Sequence, residues 1–184
     1  MITASVLGLG TFHPDKSVGN DAWPEEFVAR TRLTGDRTLL DIPIASDEAG
    51  RISAEYLAHE AGDPFIGAVT RREAEEGMFA HEAETLAARA ALDDAGIEAG
   101  EIDVILSYAV VPDRVSPNGG YPVAHALGAD KAFVMGIDAG CNACIAQLML
   151  AKSLVESGEA KHVLITQSHL LTRCLLYTSD AADE

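Results

Sequence analysis

Cys141 and Cys144 are the side chains of this chain best suited to covalent chemistry. They stand in the stretch Asp138-Ala-Gly-Cys141-Asn-Ala-Cys144. A thiol attacks through its thiolate. Thiolate is favoured where unpaired backbone N–H groups and the positive end of a helix dipole meet the sulfur. Cys141 alone, at the head of a helix, has the placement of an activated nucleophile, and that placement does not by itself name a reaction. The same spacing, Cys141-Asn-Ala-Cys144, also fits a dithiol redox pair opening a helix. Two features speak against the pair. No aromatic residue directly precedes Cys141, and all seven prolines lie at or before Pro122, so none downstream can cover it.

Both chemistries depend on the elements on either side. Residues 133–137 read as a short strand. Residues 144–157 read as a helix that is apolar nearly all round, with Gly158 as its C′ residue. Such a helix is expected to be buried rather than half-exposed. Within it Cys144 reads as packing, and Gln147 and Lys152 as marginal positions. Upstream, residues 82–96 give a helix with Ala83, Leu86, Ala87, Ala90 and Ala91 on one face, small enough for close packing on a sheet, and Gly96 ends it. Residues 103–110 read as a strand, 121–127 as a short helix closed by Gly128, and 162–167 as a further strand. From residue 82 the order is αβαβαβ, which predicts an α/β layered fold with parallel pairing.

The remainder is less regular. Residues 4–9 read as a strand ending at Gly10 and a turn through Pro14. Residues 20–67 mix charges, prolines and glycines with no sustained period, as an elaborated connection or cap with short helices near 23–32 and 53–59. Gly8-Leu-Gly10 is a weak dinucleotide-loop signal, lacking the third glycine and meeting Pro14 where a helix should begin. Asp138 is placed to cap the turn before Cys141. None of His13, His59, His81, His125, His162 and His169 forms a cluster with metal-ligand spacing, so no metal site is expected.

Composition bounds the function classes. The 184 residues suffice for one sizeable core, and 48% hydrophobic content excludes a disordered or fibrous chain. The 13 basic and 29 acidic residues give a net charge of −16, which argues against nucleic acid or an anionic membrane as partner. No apolar run reaches transmembrane length, and no signal peptide is read at the N-terminus. Three cysteines make no disulfide framework and suit a reducing, cytoplasmic setting. Residues 174–184 break from the preceding pattern. They resemble translated sequencing adapter, so a chain cut near Arg173 is expected and Cys174 carries no functional weight.

The motifs together resemble a thiolase-superfamily condensing enzyme, closest to the ketoacyl-acyl-carrier-protein synthase III type. The matching stretches are Val6-Leu-Gly-Leu-Gly-Thr-Phe-His-Pro14, the helix 83–96, Ile102-Asp-Val-Ile-Leu106, Ser116-Pro-Asn and Leu127-Gly128. The strongest runs from Asp138-Ala-Gly-Cys141 without a gap to Ser157-Gly158, followed by Val163-Leu-Ile and Leu171-Thr-Arg173. The resemblance implies a thiolase-like fold of layered α-β-α-β-α architecture. Residues 1–173 would be its N-terminal half, with a divergent insertion at about 20–67, and the C-terminal half would be missing.

It also implies Cys141, rather than Cys144, as the nucleophile of an acyltransferase. That enzyme takes an acyl group from a coenzyme A or acyl-carrier-protein thioester. It condenses the group with a malonyl thioester or passes it to another acceptor. No tightly bound cofactor is implied, and a homodimer is. The family's catalytic His and Asn come from the second half, and no histidine here matches. Ser116 stands where the family often has an aromatic residue, in a segment that reaches across the dimer. A non-catalytic thioester-binding partner subunit is the alternative the resemblance leaves open.

Overall fold

The computed structural model describes residues 2–26, 28, 46–48, 50–52, 65 and 67–171. Its centre is a three-stranded parallel sheet of β3 (Val104–Ala109), β4 (Phe133–Gly136) and β5 (Val163–Ser168), in the order β4-β3-β5. Val104 lies opposite both Phe133 and Val163. Parallel neighbours require crossover helices, and the chain supplies them in α1 (Ala80–Ala95), α2 (Gly120–Leu127) and α3 (Ala143–Ser157). Gly96, Gly128 and Gly158 close the three helices in the left-handed conformation, as the sequence predicts.

The pleat sorts side chains to the two faces of the sheet. Ile105 and Leu164 pack with Ala88, Leu92, Val123 and Leu127 of α1 and α2. Leu106, Val163 and Ile165 pack with Leu150, Ala151 and Leu154 of α3. The result is an α-β-α stack, with Val104 to Ser107 buried along the central strand. The α/β expectation holds, and the element bounds differ from it by one or two residues.

Three details differ more. The sheet-facing stripe of α1 is Ala80, Glu84, Ala88 and Leu92, while Leu86 is 45% exposed. The Ala87–Ala91 side meets the N-terminal segment instead. A Cβ on Gly8 would lie 2.5 Å from the Ala91 carbonyl oxygen, and one on Gly10 would overlap Ala87. The two glycines of Gly8-Leu-Gly10 are thus required for backbone approach to a helix. Residues 4–9 form no ladder among the described residues. Leu9 N–H is bound by the Asp94 carboxylate at 2.9 Å, because an alternating segment becomes a strand only where an open sheet edge receives it.

The long connection also has an order the sequence did not reveal. β1 (Ser17–Gly19) and β2 (Thr70–Arg72) pair antiparallel, Ser17 opposite Arg72, so the chain leaves and returns at one place. Lys16 Nζ to Glu73 Oε1 (2.7 Å) and Arg71 to Asn20 Oδ1 (2.8 Å) hold the two ends together. The helix expected near 53–59 lies outside the described residues, as does half of that near 23–32.

Candidate nucleophile site at the head of helix α3

β4 ends at Gly136, and the chain leaves the carboxyl edge of the sheet, where ligand sites of open α/β sheets form. Ile137 N–H continues the pairing by donating to Ser107 O at 3.0 Å. The backbone then reverses. Gly140 N–H donates to Asp138 Oδ1 at 3.1 Å, and Gly140 adopts φ of +55°. Gly140–Asn142 make one 3₁₀ turn, and α3 starts at Ala143. Cys141 therefore occupies the short turn that leads into α3, rather than its first α-helical residue, and its side chain is exposed. Asp138 performs the capping role read from the sequence.

The environment of α3 corrects three expectations. The helix is not enclosed on all sides among the described residues. Its sheet-facing stripe includes Ala143 and Gln147, whereas Ile145 is 58% and Met149 69% exposed, with Leu148 beside them. One sheet face can cover only one side of a helix that is apolar all round. Cys144 is exposed, not packed, because it lies off that stripe. Gln147 is not marginal but fully buried, and its Oε1 accepts a 2.7 Å hydrogen bond from Gln167 Nε2 on β5. Lys152 does lie at the margin, paired with Glu156. Both described cysteines are free thiols.

Two polar arrangements escaped the sequence reading. Asp113, after β3, accepts the Ala80 and His81 backbone N–H groups at 2.7 and 3.1 Å and touches His81 Nδ1 at 2.9 Å. It caps α1 from a distance. The signal was Phe79, an N-cap residue with no side chain able to do so. The second is Glu84, which is buried on α1 and accepts from Ser107 (3.0 Å), Thr166 (2.6 Å) and Ser168 (2.9 Å). Burial pushes its carboxyl above the ordinary value. The three hydroxyls oppose that rise, and the Asp113 charge adds to it. The four-residue spacing Ala80-Glu84-Ala88-Leu92 was the available signal.

Three histidines take structural positions. His81 joins Asp113, His162 Nδ1 contacts the Glu101 carbonyl at 3.0 Å, and His169 packs edge-on against Tyr108. His59 lies outside the described residues. Two grooves, of about 690 and 540 Å³, are lined by residues around His81 and around Trp23, and neither includes Cys141. The nucleophile candidate thus stands on an open surface, at the mouth of the sheet. Ser116, before Pro117 in a cis peptide, lies in the segment between β3 and α2, where Val115 is fully exposed. Among the described residues, no three His, Cys, Asp or Glu side chains converge as a metal site, and no helix is long and apolar enough to cross a membrane.

The chain is similar in sequence and fold to known proteins. The chain is 36% identical over 172 residues to a beta-ketoacyl-[acyl-carrier-protein] synthase III of Bacillus pumilus, which covers 94% of the chain and 46% of the relative. It is 29% identical over 170 residues to the enzyme of the same name from Ehrlichia canis, covering 92% and 44%. Among solved structures, 3-oxoacyl-(acyl carrier protein) synthase III from Xanthomonas oryzae superposes with a TM-score of 0.66 at 26% identity, over 91% of this chain and 44% of that one. No protein-family model matches the chain. The chain spans about half the length of the curated relatives it matches.

Proposed function

Because the chain belongs to the thiolase-like condensing enzymes, we propose that Cys141 is the acyl-accepting nucleophile of an acyltransferase of the 3-oxoacyl-acyl-carrier-protein synthase III type. One observation carries this reading. Cys141 is exposed in the turn between the carboxyl edge of a parallel sheet and the N-terminus of α3. A thioester carbonyl arriving there meets a sulfur beside the positive end of the α3 dipole.

The chemistry follows from those groups. The Cys141 thiolate attacks the thioester carbonyl carbon, and the carbonyl electron pair moves to oxygen. The tetrahedral oxyanion then collapses, the C–S bond to the leaving thiol breaks, and an acyl group remains on Cys141. In the condensing half-reaction a malonyl thioester loses carbon dioxide. The resulting carbanion attacks the acyl carbonyl, the Cys141–acyl bond breaks, and a 3-oxoacyl thioester leaves. Coenzyme A or acyl carrier protein is the thiol carrier. The substrate itself brings the activated bond, so no tightly held cofactor is needed.

The same reading has structural corollaries. Residues 1–173 correspond to the N-terminal half of such an enzyme, with 20–67 as a divergent insertion and 174–184 as a non-native tail. The histidine and asparagine that assist decarboxylation belong to a second half. That half covers the exposed Ile145–Met149 side of α3, and the whole protein works as a cytoplasmic homodimer.

Incubation with an acyl thioester followed by peptide mass mapping tests the proposal. One acyl group on Cys141 is expected. Acyl label on Cys144 alone, or a Cys141–Cys144 disulfide as the working species, would overturn it in favour of redox chemistry.

A further inference from the structure

α3 is apolar on both sides, yet it carries one fully buried amide. Gln147 is 0% exposed in the second turn of the helix, on the stripe that faces the sheet. Its Oε1 accepts from Gln167 Nε2 on β5 at 2.7 Å. Its own Nε2 is buried and meets no acceptor among the described residues. A buried polar group costs free energy unless it is paired, and a methionine or leucine would fill the same space without that cost. The amide must therefore supply something that packing alone does not.

What it supplies is direction. Of the other side-chain hydrogen bonds of α3, those from Lys152 to Glu156 and from Ser157 to the Leu154 carbonyl stay within the helix, and Glu156 also accepts from the Ala4 backbone, away from the sheet. The Gln147–Gln167 bond is, among the described residues, the one side-chain hydrogen bond tying α3 to the sheet. Apolar contacts between Leu150, Leu154 and Ile165 tolerate sliding, whereas a hydrogen bond weakens steeply away from its preferred geometry. Gln167 lies near the end of β5, and Gln147 lies near the start of α3. The bond thus fixes the end of the helix that carries the Cys141 turn.

We propose that Gln147 is a positioning residue for Cys141, acting through its amide bond to Gln167. The inference rests on Cys141 being the nucleophile, and it adds that the sulfur is held in place by a side-chain pair outside the turn.

Iodoacetamide alkylation of the full chain, quantified separately at Cys141 and Cys144 by peptide mass mapping across pH, tests this without any thioester. In Gln147→Met and in Gln167→Met the Cys141 rate should fall roughly three- to tenfold, the range a net hydrogen bond represents. The Cys144 rate should hold. The double variant should lose no more than either single one, since both break one bond. In Gln147→Glu, which keeps an acceptor for Gln167, the Cys141-to-Cys144 ratio should return to the wild-type value. That variant decides the matter if the methionine variants do not fold. A ratio unchanged within about twofold in the methionine variants, additive losses in the double variant, or a fallen ratio in Gln147→Glu would overturn the proposal. Acylation of Cys141 by a thioester is scored independently. A chain acylated at Cys141 with no Gln147 dependence defeats this inference alone, and a Gln147-dependent Cys141 that never takes an acyl group defeats the acyltransferase reading alone.

Discussion

Gly140 donates its backbone N–H to the Asp138 carboxylate at 3.1 Å, and this bond closes the turn that presents Cys141. The glycine holds φ of +55°, where a side chain is strained even though the space around it is empty. Gly140→Ala should therefore cost about 1–2 kcal/mol, measured by denaturant unfolding. Asp138→Ala removes the acceptor and should slow Cys141 alkylation while Cys144 is unaffected. Asp138→Asn keeps an oxygen there and should behave like wild type. Equal rates in all three would show that the turn is held by something else.

Glu84 makes stability depend on pH. Burial holds its folded-state value above the ordinary 4.5, so the folded chain keeps the proton more tightly than the unfolded one. The corresponding stabilisation is full below the unfolded value and is lost as pH rises through the folded one. Glu84→Gln should be more stable than wild type at neutral pH and should flatten this part of the profile. Glu84→Ala strands three hydroxyls and should cost about 1–3 kcal/mol per group left unpaired at worst. Melting temperatures from pH 4 to 8 read both effects, and a Glu84→Gln curve parallel to wild type would refute the first.

Cys144 separates acyl chemistry from redox chemistry. Cys144→Ser should leave thioester-dependent acylation within about twofold of wild type, whereas Cys141→Ser should abolish it. Equal loss in both variants would point to a working dithiol.

The exposed Ile145, Leu148 and Met149 side of α3 should promote association. Ile145→Lys combined with Met149→Glu should lower light scattering at equal concentration without shifting the melting temperature. On the proposal that a second half supplies the assisting histidine and asparagine, this chain should release no carbon dioxide from a malonyl thioester, since losing even one oxyanion donor costs about two to three orders of magnitude. A monomer turning over at enzyme-like rates would contradict this.

Residues 174–184 should be dispensable. Their deletion should change stability by no more than about 0.5 kcal/mol, as for uninvolved surface changes. A cooperative loss of folding on deletion would show that they belong to the fold.

Much of this molecule was written locally. The α/β class followed from alternating buried strands and glycine-closed helices, because period and left-handed caps are properties of a few neighbouring residues. The placement of Cys141 between a strand, a tight turn and an apolar helix was legible for the same reason, since all three adjoin it in sequence. So was the Asp138 cap, which spans two residues.

What stayed hidden depends on partners far along the chain. Periodicity gives α1 an apolar side but not which of two alanine-bearing stripes meets the sheet. Tertiary packing chose Ala80-Glu84-Ala88-Leu92 and gave the other side to Gly8 and Gly10. Asp113 caps a helix that starts 33 residues earlier in the chain. Glu84 finds its hydroxyls on β3 and β5, and Gln147 finds Gln167 across the helix–sheet interface. A polar residue inside an apolar stretch has no readable meaning until its partner arrives. Sequence therefore determined the sulfur and the elements that flank it, while tertiary structure decided which buried polar groups hold those elements in place, because hydrogen bonds are satisfied in space and not along the chain.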